Sequence, residues 1–240
     1  MEINGKIHLL FEQSGVFKRA FQSEGFEVIE YDIENGFGCV DVTCDIFREI
    51  ECAINRFPSI FDRMNSNDLI MAFPPCIHFC TFASLIIKGL SNTFREYDPI
   101  RKAEYQGYKI HDMATHLLRL KQLEAIAEFK NLRLIIENPW HETMLSMWMR
   151  APELVDYDRR RSGDELKKPT AFWFYNCNPE GKSVYIKPKH LKTVNDLPKS
   201  RVQGKCSIER SVLSEEYAVN FVKCRILGQD LSNQLSMFND

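Results

Sequence analysis

The sequence predicts an α/β protein: one open, largely parallel sheet with helices on both faces and a small basic excursion near the C-terminus. Short apolar runs bounded by turn residues alternate with segments whose apolar residues recur every three or four positions. Two of the runs, Asp68-Leu-Ile-Met-Ala-Phe-Pro-Pro-Cys76 and Leu132-Arg-Leu-Ile-Ile-Glu-Asn-Pro139, end in proline-containing turns that carry a thiol and a carboxylate. In a parallel sheet such ends share one rim, where α/β proteins bind ligands. At 240 residues, with 44% hydrophobic and 27% charged residues, the chain has enough apolar content for a full core.

The elements follow in order. Ile7 to Phe11 reads as a first strand, Glu12 to Gly15 as a turn, and Val16 to Ser23 as a helix with Phe17 and Phe21 on one face. Gly25 ends that helix. Phe26 to Tyr31 is a second strand closed by Asp32, and Val40 to Thr43 is a short third one leading through Asp45 into an amphipathic helix that runs to about Ile60. Leu69 to Phe73 is the fourth strand. Residues 85–105, with Gly89, Asn92 and Pro99, read as an irregular insertion. A long helix follows, its apolar positions Ile110, Met113, Leu117, Leu120, Leu123 and Ala127 predicting packing across the sheet. Leu132 to Ile136 is a fifth strand, Ala171 to Tyr175 a further one, and Ser214 to Leu227 a closing helix. The expected organisation is a core over 1–175, a basic segment over 176–205 and a returning helix with a tail over 206–240.

Charge and cysteine usage narrow the class. Residues 1–70 carry 6 Lys and Arg against 13 Asp and Glu, whereas 182–205 carry 7 against 1. The second segment suits a polyanion, or is simply a solvated basic loop. Eight cysteines without framework spacing predict reduced thiols and no structural metal, which points to a cytoplasmic protein. No run approaches the roughly 18 continuous apolar residues of a membrane span, and no secretory leader pattern opens the chain.

A strand, tight turn and helix, followed by an acid closing the second strand, is the generic site for an adenosine-containing ligand. The turn Glu12-Gln13-Ser14-Gly15 has one glycine, which suits S-adenosylmethionine better than a pyrophosphate pressed against the backbone. Asp32 would meet ribose hydroxyls. A plain strand end for Asp32 and a helix N-cap for Asp45 are the structural alternatives.

Together these segments resemble the DNA cytosine-5 methyltransferases, most closely small, divergent phage-type members. The resemblance rests on Leu10-Phe11-x-x-Ser14-Gly15, Asp32, Cys44-Asp45-Ile46, Phe73-Pro74-Pro75-Cys76 and Glu137-Asn138-Pro139. It covers most of 7–176 and resumes at 204–227 with Gly204 and Arg210-Ser211. The sequence departs from the family pattern at Leu9, Gln13, Val16 and Cys80.

The resemblance implies a Rossmann-like, S-adenosylmethionine-dependent methyltransferase sheet and a covalent mechanism in the bacterial cytoplasm, in a restriction-modification or phage-defence setting. Cys76 would add to carbon 6 of cytosine, because carbon 5 is a poor nucleophile, and Glu137 would hold the ring nitrogen and amine. Asn138 would brace the turn, and Arg161, among Arg159, Arg160, Lys168 and Thr170, would touch the base carbonyl and phosphate. Phe11, Glu12, Ser14, Gly15, Asp32, Ile33, Asp45, Ile46 and Pro74 would hold the cofactor.

DNA is the expected partner, its cytosine flipped out or already single-stranded. Lys182, Lys187, Lys189, Lys192, Lys199 and Arg201 would meet its phosphates, with Tyr185 free to stack. The tail Gln234-Leu235-Ser236-Met237-Phe238 looks like a sliding-clamp docking peptide. Two other classes stay open: an inactive methyltransferase-like protein that only binds nucleic acid or a partner, and a pyrimidine-modifying enzyme acting on RNA or a free nucleotide.

Overall fold

The computed structural model describes residues 1–140, 145–182 and 213–231. Seven strands form one mixed sheet: β1 Ile7–Leu10, β2 Val28–Asp32, β3 Val42–Thr43, β4 Leu69–Ala72, β5 Arg133–Pro139, β6 Leu154–Asp156 and β7 Thr170–Tyr175. Their order is β3-β2-β1-β4-β5-β7-β6, parallel except for β7, which runs against both β5 and β6. The order reverses between β1 and β4. That reversal parts the flanking loops and opens a crevice at the carboxyl ends of these two strands.

Side-chain alternation assigns the two faces. Leu10, Ile70, Ala72, Leu134, Ile136 and Trp173 pack on one side against helices α2 (Ile46–Ile54) and α4 (Pro99–Phe129). Leu9, Leu69, Met71, Ile135, Phe172 and Phe174 face the other, against α1 (Val16–Ser23) and α5 (Glu215–Asn220). Adjacent residues of one strand thus serve different cores, as a period of two requires. The predicted helices on both faces are present, and residues 213–226 return to the same core as 1–175.

Three boundaries differ from expectation for identifiable reasons. Helix α2 stops at Ile54, because Arg56 takes φ 61° and Pro58 follows; Ile60–Arg63 is a separate 3₁₀ turn with its own capping box from Ser59 to Asp62. The segment expected to be irregular holds helix α3 (Thr81–Ile87), a 3₁₀ turn at Asn92–Glu96 and the start of α4. Pro99 begins α4 instead of breaking it, since Asp98 caps the backbone N–H groups of Ile100 and Arg101 and proline fits the first turn. Of the apolar stripe expected to cross the sheet, only Leu120 onward is buried. Ile110 is exposed, and the first turns of α4 extend past the sheet. The short β6, Leu-Val-Asp, has too few residues to reveal a period.

Helix α5 continues from its Ser214 cap into a π-helical turn at Phe221–Ile226. Every cysteine among the described residues is a free thiol, and among those residues no helix is long and apolar enough to cross a membrane. Five of the predicted phosphate contacts, Lys187, Lys189, Lys192, Lys199 and Arg201, lie outside the described residues. So do Tyr185, Gly204, Arg210-Ser211 and the tail Gln234–Phe238.

Arg159 and Asp164 form an ion pair at 2.8 Å with both side chains almost wholly buried behind β7. Arg159 also donates weakly to Thr170 Oγ1, 3.5 Å away, and its guanidinium lies over the Tyr217 ring. Removing one member leaves a buried, unmatched charge. Arg159→Met should cost about 3–5 kcal/mol in urea unfolding, and Arg159→Met with Asp164→Leu should recover most of that loss.

Candidate active site

At the switch point lies a cavity of about 670 Å³, lined from four strand tips and the turns beyond them. Its walls include Phe11, Glu12 and Ser14 after β1, Asp32 and Ile33 after β2, Asp45 and Ile46 at α2, Pro74 and Cys76 after β4, and Glu137 on β5. Residues named from five separate sequence segments converge on one space. Its volume suits a small-molecule ligand.

The turn after β1 is built around a carboxylate. Phe11 leaves the strand with φ 59°, a left-handed conformation uncommon for a residue with a side chain. Glu12, 7% exposed, accepts from Ser14 N at 2.9 Å, from the Ser14 hydroxyl, and from Gly15 N at 3.1 Å. Gly15 caps α1 at φ 70°, and a Cβ there would strike Cys39 and Arg19 at 2.8 Å. It backs the turn without lining the cavity. The N–H groups that a phosphate would need are therefore taken by the protein's own carboxylate.

Beneath this turn, Glu30 is fully buried. Burial, reinforced by the neighbouring Glu12 carboxylate, pushes its pKa up to about 9. Lys18 approaches to 4.0 Å, but its ammonium is engaged by Asp41 at 2.8 Å and by the Cys39 carbonyl. Glu30 accordingly keeps its proton in the fold.

Asp32 accepts from Glu34 N at 2.9 Å, and burial raises its pKa. Asp45 caps α2, accepting from Phe47 N at 3.0 Å and Arg48 N at 3.2 Å, while also lining the cavity. The N-cap alternative and the cavity position therefore both hold for it. Sequence reasoning missed the aromatic lining: Phe47 lies 5.0 Å from Phe11 between ring centroids, and Phe37 and Phe73 add apolar wall. A partly apolar helix face reads the same whether it meets core or ligand.

The thiol and the carboxylate are brought together by strand register. Ala72 pairs with Ile136, so β4 turns out of the sheet beside the continuing end of β5 that carries Glu137. Asn138, 1% exposed, donates its side-chain amide to the Pro74 carbonyl at 3.1 Å and locks the two tips. Asn138 thus braces the turn, and its bonding defines the place of Cys76, first residue of a 3₁₀ turn at Cys76–His78.

Burial raises the pKa of both reactive groups. For Cys76 the Lys168 cation opposes that rise and the Glu137 charge adds to it; for Glu137 both Lys168 and Arg159 oppose it. Both groups therefore favour the protonated form. Arg161, expected beside the base, does not join them: it is exposed and lines a different cavity, while Lys168 lines the one with Cys76 and Glu137. The run Arg159–Ser162 is a 3₁₀ turn that sends successive side chains in different directions, a divergence composition does not reveal. Lys182, expected at the nucleic acid, follows the reversed β7, whose end Tyr175 pairs with Leu134 near the start of β5. Lys182 therefore stands near the opposite edge of the sheet, 3.7 Å from Asp230.

The neutral Glu30 makes stability fall as pH rises. The folded state holds a proton that the unfolded chain releases above its ordinary 4.5, so stability is lost progressively from there toward about 9. Glu30→Gln should match the parent near pH 4 and exceed it by about 1–3 kcal/mol at pH 8, read as melting temperature against pH. Equal curves would place the charge elsewhere.

No protein-family model matches this chain and no curated protein matches it, so the chemistry of the cavity itself carries any assignment.

Proposed function

We propose that the protein is a DNA cytosine-5 methyltransferase with a Rossmann-like fold. The observation that carries this reading is that Cys76 and Glu137, on adjoining strand tips, open into the same cavity as Asp32 and Asp45. A thiol and a protonated carboxyl facing one nucleobase-sized space is the pair that covalent activation of a pyrimidine needs.

S-Adenosylmethionine fits the cofactor end. Its ribose hydroxyls suit Asp32, its adenine the apolar walls of Phe11, Ile33 and Phe47, and its cationic centres the acidic rim of Glu12, Glu34 and Asp45. It has no phosphate, and the N–H groups of the turn are already held by Glu12. When bound, it supplies an electrophilic methyl group.

The protein's own residues would do the rest. Cys76 gives its proton to water, favoured by the nearby Lys168 cation, and its sulfur adds to carbon 6 of the cytosine. Glu137, kept protonated by burial, donates to the ring nitrogen and stabilises the electron-rich ring that makes carbon 5 nucleophilic. Once carbon 5 carries the methyl group, water takes the carbon-5 proton, the carbon-6–sulfur bond breaks to expel the Cys76 thiolate, and the ring is again aromatic. Glu137 takes back its proton in that step. Target bases in a duplex must first leave the stack to reach this depth.

Transfer of a labelled methyl group to mixed-sequence DNA checks the assignment. The parent should incorporate label, Cys76→Ser should fall to background, and Glu137→Gln should slow transfer by about 10²–10⁴-fold. Incorporation that survives Cys76→Ser removes the covalent mechanism. Transfer to RNA or a cytidine nucleotide, but not to DNA, would leave the chemistry and overturn the substrate.

A further inference from the structure

Two histidines that do not line the cavity meet face to face behind its thiol. His78 ends the 3₁₀ turn that Cys76 begins, and His116 lies on α4; their ring centroids are 3.7 Å apart and their planes 24° from parallel. The His116 ring also meets Phe47 of α2 edge to face at 5.0 Å, and Phe47 in turn lies against Phe11. One row of rings, Phe11, Phe47, His116 and His78, therefore runs from the apolar wall of the cavity to the turn that carries Cys76. The turn's own bonds are local: the Phe79 N–H donates to the Cys76 carbonyl at 3.0 Å, and the Cys80 thiol to the Ile77 carbonyl at 3.5 Å. Ile77 is exposed, while the His78 ring reaches across to α4.

The stack is a contact between uncharged rings. His116 Nδ1 donates to the Asp112 carbonyl at 2.8 Å, which places the proton of the neutral ring on that nitrogen. Facing His78 from α4 are Lys109, Asp112 and His116, and the thiols of Cys76 and Cys80 flank it along the chain. Asp112 is drawn on by Lys109 at 3.5 Å, and from α2, beyond Phe47, Glu51 is taken by Arg119 at 2.9 Å. Among the described residues neither ring has a carboxylate within ion-pair distance, so two protons on the stack would go unmatched. Burial and the facing His116 push the pKa of His78 down to about 4, with Asp112 opposing and Lys109 adding to the drop.

We infer that His78 and His116 are positioning residues for Cys76: as a neutral stack they hold the thiol's turn against α4, and on protonation they part and release it. Their part in methyl transfer rests on the function proposed above. Their hold on the thiol does not. The folded pair resists a proton that a free imidazole takes at 6.5, so the stack is complete above that value and is lost progressively as pH falls from there toward 4. Because His78 is half-buried and partly screened, the parted arrangement gains about tenfold at pH 5 over pH 7.5.

The experiment is capture of thiols on the whole protein by a dipyridyl disulfide, which reacts on both sides of neutrality, with peptide mass spectrometry reading the rate at Cys76. Rates are compared between variants at one pH, which cancels the pH dependence of the reagent. His116→Phe keeps a ring against His78 and removes the second charge. The parent should react about tenfold faster than His116→Phe at pH 5 and alike at pH 7.5. His116→Ala, with no ring to stack, should expose Cys76 at both pH values, and His78→Ala repeats the test from the other side of the stack should that variant not fold. Equal rates for the parent and His116→Phe at pH 5 would overturn the release by charge. Alanine variants that react like the parent at pH 7.5 would overturn the hold. Labelled-methyl transfer decides the other reading separately: capture gated by pH without transfer keeps the stack and removes the methyltransferase, and transfer with capture and acid limb alike in the parent and His116→Phe does the reverse.

Discussion

The amide of Asn138 bonded to the Pro74 carbonyl is the interaction on which the site depends. Parallel pairing of β4 and β5 runs to Ala72 and Ile136; β4 then turns out of the sheet, while β5 continues against β7 as far as Pro139. The β4–β5 ladder ends at Ala72 and Ile136, so it supplies no donor to the Pro74 carbonyl. The buried Asn138 side chain meets it instead. One bond of ordinary strength thereby fixes the mutual placement of a thiol and a carboxyl that are distant in sequence, and its burial makes the loss of either partner costly.

The turn after β1 applies the same logic to charge. A buried carboxylate, Glu12, satisfies the open N–H groups at the entrance to α1, and a second buried acid, Glu30, stays neutral beneath it. Burial and the neighbouring Glu12 carboxylate keep the proton on Glu30. The turn is stabilised without an external anion, and the cavity above it keeps an acidic rim. On the far side of β5 the sign changes. Lys168 and Arg159 act on Glu137, and Arg161, Lys167 and Arg225 gather beyond β7. An acidic half around the turns after β1 and β2 and a basic half beyond β5 divide one sheet edge.

Much of this was legible beforehand because it is local. The limits of α1 follow from a helical stripe between Gly15 and Gly25, and the strands β1, β2, β4 and β5 from apolar runs with turn residues after them. The start of α4 is ambiguous in sequence because a proline breaks a helix interior but fits a first turn, and here Asp98 caps the turn that Pro99 opens. The three-residue β6 escaped because two faces cannot be told apart over three positions. The exposed early turns of α4 show that a helical period specifies a face without specifying what covers it.

The sequence by itself determined which segments are strands and helices, and that Cys76, Glu137, Asp32 and Asp45 stand at element ends, because those properties depend on neighbours a few residues apart. Only the tertiary structure decided which ends meet. The reversal of strand order at β1 and β4 opens the cavity, the reversal of β7 carries Lys182 away from it, and the 3₁₀ turn at Arg159–Ser162 buries one arginine while turning Arg161 toward a separate space. Adjacent arginines look equivalent in a chain. They become different residues when packing buries one guanidinium against Asp164 and leaves its neighbours to the surface.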